Sequence, residues 1–233
     1  MAVTPVIRYL SEGAILLDWG SGIISEINRL VHNTDVLIRQ NPFEGLLDTV
    51  PAYDSLAVFF DSSLISRRFP ETNPFEAVKK ILRPFTELQM DHSTECAIPP
   101  VRIPVIYNGP DLHTLAMMKG ISTNELVEIH TGCDYNVFML GFLPGFAYMG
   151  MVSDRIAAPR LATPRLKVPA GSVGIAGNQT GIYPIDSPGG WQLIGVTPIK
   201  IFDPGRTSPF LLKPGDKVRF FAIEKSDYQN LSE

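Results

Sequence analysis

The sequence predicts an α+β protein of two domains, the first mixing strands with helices and the second mostly β. In the first part of the chain, short apolar runs alternate with stretches of helical periodicity. Residues 141–215 hold 12 glycines and 10 prolines in 75 residues, with apolar residues between them. That composition favours short strands joined by tight turns over long helices. We place the boundary in the polar segment 91–100, which divides the chain into domains 1–93 and 94–233.

The first domain is predicted from the order of its elements. Strands are expected at 14–17, 46–50 and 56–60, and helices at 23–38 and 74–88. Ser21 or Gly22 is expected to open the first helix, and Asn73 caps the second, with Pro74 at its first position. We expect Pro84 to bend or shorten that second helix. The order βαββα, with room for one further strand, is typical of a ferredoxin-like split βαβ unit.

The second domain begins with a strand at 101–107 and two short helices. The first helix covers 111–119 and ends at Gly120, and the second is opened by a capping box from Ser122 to Glu125. From Tyr135 to Ile223 the pattern predicts strands and turns throughout. So many corners are typical of a barrel or a folded sandwich, with the helices on its outside.

Composition excludes several classes of function. With 20 Lys+Arg against 24 Asp+Glu, the net charge is −4, so neither nucleic acid nor a membrane surface is an expected partner. No 18-residue apolar window predicts a membrane span, and the first 25 residues do not predict a signal peptide. The two cysteines, Cys96 and Cys133, suit a reducing cytoplasm. The four histidines lack metal-ligand spacing, so we expect no metal site.

Known nucleotide motifs are absent as well. There is no phosphate-binding loop and no dinucleotide fingerprint, and the glycines at 171, 174 and 177 have the wrong spacing for either. If the chain takes part in catalysis, it does so without a recognisable nucleotide site of its own.

A basic stretch is the first candidate for a binding site. Arg155, Arg160, Arg165 and Lys167 occur with no acid between Arg155 and Ile185. Arginine is well suited to carboxylates and phosphates. Arg160 and Arg165 each follow a proline, which stiffens the chain that presents them. We therefore expect one of these two to contact a substrate carboxylate, a phosphate or a partner's acid. The alternatives are a solvated loop face, or pairing with a distant acid such as Asp134, Asp186 or Asp203.

Two aromatic segments flank this stretch. The segment Gly141–Tyr148 holds three rings around a Pro-Gly turn, and Ser187–Trp191 is a tight turn ending in an aromatic residue. We expect Trp191 to lie partly exposed at a groove near Phe146, although core packing at a barrel corner is the alternative.

His130, near a helix end, is either a general base or a cap for helix carbonyls. The predicted ligand or partner contacts are Phe142, Pro144, Phe146, Arg160, Arg165, Lys167, Ser172, Gln179, Thr180, Tyr183, Ser187, Gly189, Gly190 and Trp191, and the catalytic candidates are His130, Arg160 and Arg165.

At these segments the sequence resembles one family. The matching motifs are Gly141-Phe-Leu-Pro-Gly-Phe-Ala-Tyr148, Leu161-Ala-Thr-Pro-Arg165, Val168-Pro-Ala-Gly-Ser-Val-Gly-Ile-Ala-Gly177, Gln179-Thr-Gly-Ile-Tyr-Pro184 and Ser187-Pro-Gly-Gly-Trp191. They resemble the family of the 5-oxoprolinase B subunit, which also contains the histidine-kinase inhibitor Kip and allophanate hydrolase subunit 1.

The resemblance implies a fold, an activity and partners. The fold would be a ferredoxin-like domain followed by a cyclophilin-like β-barrel. The chain would act with a homologous, cyclophilin-like C subunit and with a separate A subunit, opening the lactam of 5-oxo-L-proline to L-glutamate at the expense of ATP, which the subunits share. Two alternatives follow from the other members: inhibition of a histidine kinase, docked by the apolar rim of Phe142, Phe146 and Trp191, and action on a urea-derived amide such as allophanate.

Overall fold

The computed structural model describes residues 4–20, 22–87 and 99–227. The chain divides into two units, residues 1–96 and 97–233. The predicted domain boundary, between residues 93 and 94, and most of the predicted linker lie outside the described residues, so the boundary stays a prediction. No helix in the described part of the chain is long and apolar enough to cross a membrane.

The N-terminal unit is a four-stranded antiparallel sheet with helices packed on one face. Its elements are β1 (Val6–Ser11), β2 (Ala14–Asp18), α1 (Ser25–Gln40), β3 (Leu46–Pro51), β4 (Ser55–Phe60), α2 (Ser62–Arg68) and α3 (Pro74–Thr86). The strand order is β1-β2-β4-β3. Strands β2 and β3 flank β4 and are joined through α1, which is the split βαβ arrangement that the sequence predicts.

Three details of this unit differ from the prediction. A further strand after the last helix would fall outside the described residues, whereas strand β1, which precedes β2 in the chain, was not predicted. Its side chains are largely exposed, so it lacks the alternation that marks a half-buried strand. The short helix α2, capped by the Asp61 carboxylate, was not predicted. Helix α1 begins at Ser25, later than the predicted start at Ser21 or Gly22.

The core of this unit lies between the sheet and its helices. Ile27, Leu30 and Val31 of α1 are buried in one cluster with Ile15 and Val58 of the sheet. Each such side chain contributes about 1.5–3 kcal/mol relative to exposure. The predicted cap of α3 is confirmed, because Asn73 accepts a hydrogen bond from the Glu76 N–H at 2.9 Å.

The C-terminal unit is built on a seven-stranded sheet. Its elements are β5 (Val101–Val105), α4 (Leu112–Lys119), α5 (Thr123–Thr131), β6 (Tyr135–Leu140), β7 (Ala147–Gly150), β8 (Arg165–Val168), β9 (Ser172–Ala176), β10 (Gln179–Ile182), β11 (Ser187–Gly189), β12 (Gln192–Val196) and β13 (Lys217–Ala222). The strand order is β12-β9-β10-β7-β6-β13-β5, and β8 with β11 forms a separate two-stranded ribbon. The Ser122 cap of α5 is confirmed.

The seven-stranded sheet curls until its two edges meet. Just beyond β5, Ile106 exchanges two backbone hydrogen bonds with Val196 at the end of β12, both 2.9 Å long. The sheet is therefore a nearly closed barrel, as the sequence predicts for this domain. Closure removes most of the free strand edge that an open sheet exposes.

Two glycines make the close approach at this seam possible. A Cβ at Gly109 would lie 2.3 Å from the Leu193 carbonyl oxygen, and one at Gly195 would lie 2.6 Å from the Ile106 carbonyl oxygen. Both clashes are with backbone, which cannot move without opening the seam.

We expect Gly109→Ala to lower the free energy of unfolding by at least about 2 kcal/mol, because the added methyl overpacks a rigid backbone contact. Gly190→Ala is the matched control, since its Cβ meets only ordinary contacts at 3.6 Å or more. Urea denaturation of both variants measures the difference. Equal stability of the two variants would show that the seam is not closely packed.

Candidate functional site

Three buried aromatic side chains form the centre of the candidate site. Phe146, Tyr183 and Trp191 pack with Val168, Ala176 and Leu193, and we call these six residues the aromatic cluster. The Phe146 ring lies edge-on to both neighbours, with centroids 5.2 Å from Tyr183 and 5.3 Å from Trp191. The predicted proximity of Trp191 to Phe146 is therefore confirmed.

The predicted exposure of Trp191 is wrong, because its side chain is only 4 % exposed. Glycines make the room for it. A Cβ at Gly181 would lie 3.0 Å from the indole ring, and one at Gly174 would lie 3.1 Å from the Trp191 Cβ. Gly189 does the same for Tyr183, whose hydroxyl would lie 2.3 Å from a Cβ there. These glycines thus accommodate aromatic side chains.

The turn after β6 presents one ring to solvent. Phe142 is 62 % exposed and has φ +66°, a left-handed conformation that non-glycine residues seldom adopt. Its ring meets Phe146 edge-on at 5.7 Å. With Pro144 and Phe210 it lines a shallow groove of about 340 Å³. Of the three rings predicted for an apolar rim, Phe142 is exposed while Phe146 and Trp191 are buried.

Three of the four basic residues of the predicted stretch are paired with acids. Arg165 donates from Nη2 to Asp111 Oδ1 at 2.5 Å, and Lys167 lies 2.8 Å from Asp186. Arg155 pairs with Glu125. Arg165 thus pairs with a distant acid, the alternative that the sequence left open, although the acid is Asp111 and not Asp134, Asp186 or Asp203. Hydrogen bonding from Lys167 also holds the pKa of Asp186 below its usual value.

The Arg165–Asp111 pair is part of the framework of the barrel. The second oxygen of Asp111 accepts the Leu193 backbone N–H at 2.6 Å, and Asp111 is 8 % exposed. Arg165 also donates to the Trp191 carbonyl oxygen at 3.4 Å. The pair thus connects the start of α4 with β8 and with the chain that carries Trp191.

Arg160 differs from its neighbours. Its guanidinium makes no hydrogen bond or ion pair with any residue that the structure describes, and it is exposed. Burial raises the pKa of both Tyr148 and Tyr183. The positive charge of Arg160 acts in the opposite direction and offsets part of that rise. The charge of the guanidinium is therefore felt at both tyrosine side chains.

The segment that carries Arg160 is fixed on both sides. The Pro159 carbonyl oxygen accepts a hydrogen bond from Nε2 of Gln192 at 3.0 Å, and the Leu161 N–H donates to the Gly190 carbonyl oxygen at 2.7 Å. A guanidinium on such a segment loses little backbone freedom when it binds an anion. Gly190 and Gln192 thus hold the Arg160 segment in place.

Ser187 supplies a second unusual group. Its Oγ is buried and has no hydrogen-bond partner among the described residues. Ser187 lies directly opposite Val168 in the β8–β11 ribbon, so both side chains point to the same face, that of the aromatic cluster. A buried hydroxyl without a partner is costly, and a ligand group or water is the usual remedy.

The other polar candidates are enclosed in the barrel. Ser172, Gln179 and Thr180 lie on β9 and β10 and are at most 9 % exposed. Thr180 Oγ1 donates to the Gly174 carbonyl oxygen at 3.1 Å. These three side chains are buried within the strands of the barrel.

His130 is neither an accessible base nor a helix cap. The imidazole is fully buried, with Nε2 2.9 Å from the Thr180 hydroxyl and Nδ1 2.8 Å from the Tyr107 hydroxyl. Because Thr180 donates its only proton elsewhere, Nε2–H donates to Thr180 and Tyr107 donates to Nδ1. Burial lowers the pKa of His130 to about 3. We therefore do not retain His130 as a catalytic candidate.

Comparison with known proteins places this mixed α/β, barrel-bearing chain in a class. Residues 5–212 match the family model described as carboxyltransferase domain, subdomain C and D. The chain is 43 % identical to the 5-oxoprolinase B subunit of Bacillus subtilis, covering 100 % of this chain and 99 % of that protein. It is 42 % identical to the 5-oxoprolinase B subunit of Escherichia coli O157:H7, covering 76 % and 78 %. The chain therefore belongs to this carboxyltransferase-domain family, and within it to the family of the 5-oxoprolinase B subunit.

Solved structures agree with the fold. The crystal structure of TTHA0988 superposes with a TM-score of 0.78 at 36 % identity, covering 94 % of this chain. This chain spans 40 % of TTHA0988, so more than half of that longer protein lies outside the similarity. The urea amidolyase of K. lactis has the same fold at 20 % identity, with a TM-score of 0.74 over 98 % of this chain and 15 % of that protein.

The buried imidazole predicts a pH dependence of stability. The folded-state pKa of about 3 lies below the ordinary value of 6.5. Between these values the unfolded chain binds a proton at His130 that the folded chain does not, so stability falls as the pH is lowered. We expect wild type to lose about 2 kcal/mol more than His130→Gln between pH 7 and pH 5. His113→Gln, which changes an exposed histidine, is the control and keeps the wild-type slope; equal slopes for all three proteins would contradict the prediction.

The two arginines are expected to differ in their effect on stability. Arg165→Ala leaves the Asp111 carboxylate, which is 12 % exposed, without its guanidinium. We expect a loss of about 1–3 kcal/mol in the free energy of unfolding. Arg160→Ala removes no hydrogen bond or ion pair with a described residue and should change this free energy by less than about 0.5 kcal/mol. Chemical denaturation distinguishes them, and a destabilised Arg160→Ala with an unaffected Arg165→Ala would reverse the assignment.

Proposed function

We propose that this chain is the B subunit of an ATP-dependent 5-oxoprolinase, which opens the lactam of 5-oxo-L-proline to L-glutamate. The observation that carries the proposal is the 43 % identity to a 5-oxoprolinase B subunit over both chains' full length. The C and A subunits of such an enzyme are the proposed partners. The finer description of the two units, ferredoxin-like and cyclophilin-like, belongs to this proposal and is supported by the split βαβ topology and the nearly closed barrel.

The chemistry of the substrate fits an anion-binding surface. 5-Oxoproline carries one carboxylate, and its lactam is a poor electrophile because the amide is resonance-stabilised. Activation by phosphoryl transfer to the lactam oxygen adds a second anionic group that must be held in place. Arg160 supplies a free cation on a fixed segment, and the buried Ser187 hydroxyl has no hydrogen-bond partner among the described residues. We propose that Arg160 binds the carboxylate or the phosphoryl group in the assembled enzyme.

The basic stretch 155–167 does not by itself fit a nucleoside triphosphate. Arg155, Arg165 and Lys167 are each taken up by an acid, which leaves Arg160 alone in this stretch to face several phosphate charges. We therefore assign ATP binding to partner subunits, or to a site that they complete, and we route no step through a nucleotide on this chain. A cytoplasmic location is part of the same proposal.

Action on a urea-derived amide is a second candidate. The chain is 23 % identical to the urea amidolyase of Saccharomyces cerevisiae over 98 % of this chain and 14 % of that protein. This relative is much more distant than the 5-oxoprolinase subunits, so the candidate ranks second. Inhibition of a histidine kinase stays a prediction from the resemblance; of the three rings it would use, Phe142 alone is exposed.

The isolated chain is expected to show no ATP hydrolysis that depends on 5-oxoproline, because its basic residues do not form a triphosphate site. Phosphate release assayed with and without coexpressed C and A subunits measures this. The assembled complex should be active with 5-oxoproline and inactive with allophanate. Robust turnover by the isolated chain would contradict the shared assembly, and activity with allophanate alone would favour the second candidate.

In the assembled complex, Arg160→Ala should lower 5-oxoproline-dependent turnover at least about tenfold, the usual cost of removing a charged hydrogen bond from an anion. Arg160→Lys should recover part of the loss, since it keeps the charge without the guanidinium geometry. Arg67→Ala, which removes an exposed arginine of the N-terminal unit, is the control. Wild-type turnover by Arg160→Ala in an intact complex would place the anion site elsewhere.

A further inference from the structure

A second cavity, of about 470 Å³, lies wholly within the N-terminal unit. It is lined by Tyr9, Glu12, Ser62, Ser63, Ser66, Asn73, Pro74 and Phe75. These residues come from the β1–β2 hairpin, from α2 and from the start of α3. None of them belongs to the site described above, and the cavity is independent of the proposed function.

The only charged side chain in the cavity lining is negative. It is Glu12, and the lining contains no lysine or arginine. Glu12 is exposed and makes no hydrogen bond or ion pair with any described residue. An anionic ligand would be repelled by this carboxylate. A metal ion lacks the ligands it needs, since no group of three His, Cys, Asp or Glu side chains exists in the described ranges.

Aromatic rings form the apolar wall. Tyr9 is 61 % exposed and meets Phe75 edge-on with centroids 5.9 Å apart. Phe75 already accepts a cation on its ring, because Lys79 Nζ lies 5.5 Å from its centroid and is held there by Glu76. Exposed faces of such rings attract cations and cover the methylene groups next to them.

Serine side chains of the lining supply oxygen acceptors. Ser62 and Ser66 lie four residues apart on α2 and therefore share one face of that helix. Ser63 adds a further hydroxyl to the lining, whereas Asn73 Oδ1 is already engaged by the Glu76 N–H. An alkylammonium group has three N–H donors and no acceptor, so it matches one carboxylate combined with several neutral oxygens.

We propose that this cavity binds an alkylammonium group, with the nitrogen at Glu12 and the serine hydroxyls and the methylene stem on Tyr9. The same chemistry occurs in a lysine side chain of a partner protein and in a free small amine. The cavity's size accommodates either.

Nuclear magnetic resonance titration of the 15N-labelled 233-residue protein tests this proposal. The probes are N-acetyl-lysine N-methylamide and, as neutral analogue, N-acetyl-norleucine N-methylamide. The lysine probe should shift the backbone amide signals of residues 9–12 and 62–66 and of Asn73 and Phe75, and the norleucine probe should bind at least about tenfold more weakly. Equal binding of the two probes would overturn the proposal.

Variants locate the interaction. Glu12→Gln should weaken lysine-probe binding about tenfold, as expected when a charge-assisted hydrogen bond becomes neutral. Tyr9→Ala should weaken it about threefold or more by removing the ring. Glu71→Gln, at an exposed glutamate outside the cavity, is the matched control. If Glu12→Gln binds as tightly as Glu71→Gln, the assignment of the cavity is wrong.

A comparison of a larger and a smaller ligand distinguishes the two sources of the amine. A lysine-containing tripeptide that binds much more tightly than butylammonium supports a partner's side chain as the ligand, and equal affinities support a free amine. The failure of both to bind would overturn the site. None of these results bears on turnover of 5-oxoproline, so the two proposals fail separately.

Discussion

The candidate site depends on the interactions of the Asp111 carboxylate. One oxygen holds Arg165 of β8, the other accepts the Leu193 N–H of β12, and the residue itself stands at the start of α4. A carboxylate on a side chain that is 12 % exposed needs such partners, because an uncompensated buried charge is strongly unfavourable. The same two contacts fix the ribbon and the strand that surround Trp191, so the shape of the aromatic cluster follows from them.

Charge pairing then decides which cation remains for a ligand. Arg155, Arg165 and Lys167 each have an acidic partner, whereas the Arg160 guanidinium has no partner in the described part of the chain. Because acids neutralise the neighbouring basic residues, the electrostatic potential around the site is not generally positive. The site therefore offers one oriented guanidinium group and not an extended basic patch. A single guanidinium suits one small carboxylate or phosphoryl group better than a polyanion.

Local signals in the sequence predict much of the fold. Caps such as Asn73 and Ser122 are visible because capping depends on residues three positions apart. Strand β1 escapes prediction because its side chains are mostly exposed, and its place beside β2 follows from tertiary pairing. The site is predictable to the level of residue type: Arg160 and Arg165 both stand out, but their different roles depend on Asp111, which is far away in sequence. The glycines that accommodate Trp191 and Tyr183 carry no local signal for that purpose.

The most direct test of this account is to observe the arginine side chains while the anion binds. In the assembled complex, with arginine labelled with 15N in this chain alone, the Nε–Hε signals of Arg160 and Arg165 are followed during titration with 5-oxoproline and inorganic phosphate. The account predicts that the Arg160 signal shifts with saturation while the Arg165 signal, held by Asp111, stays in place. A saturable shift at Arg165 with none at Arg160 would contradict the division between a structural and a ligand-binding arginine.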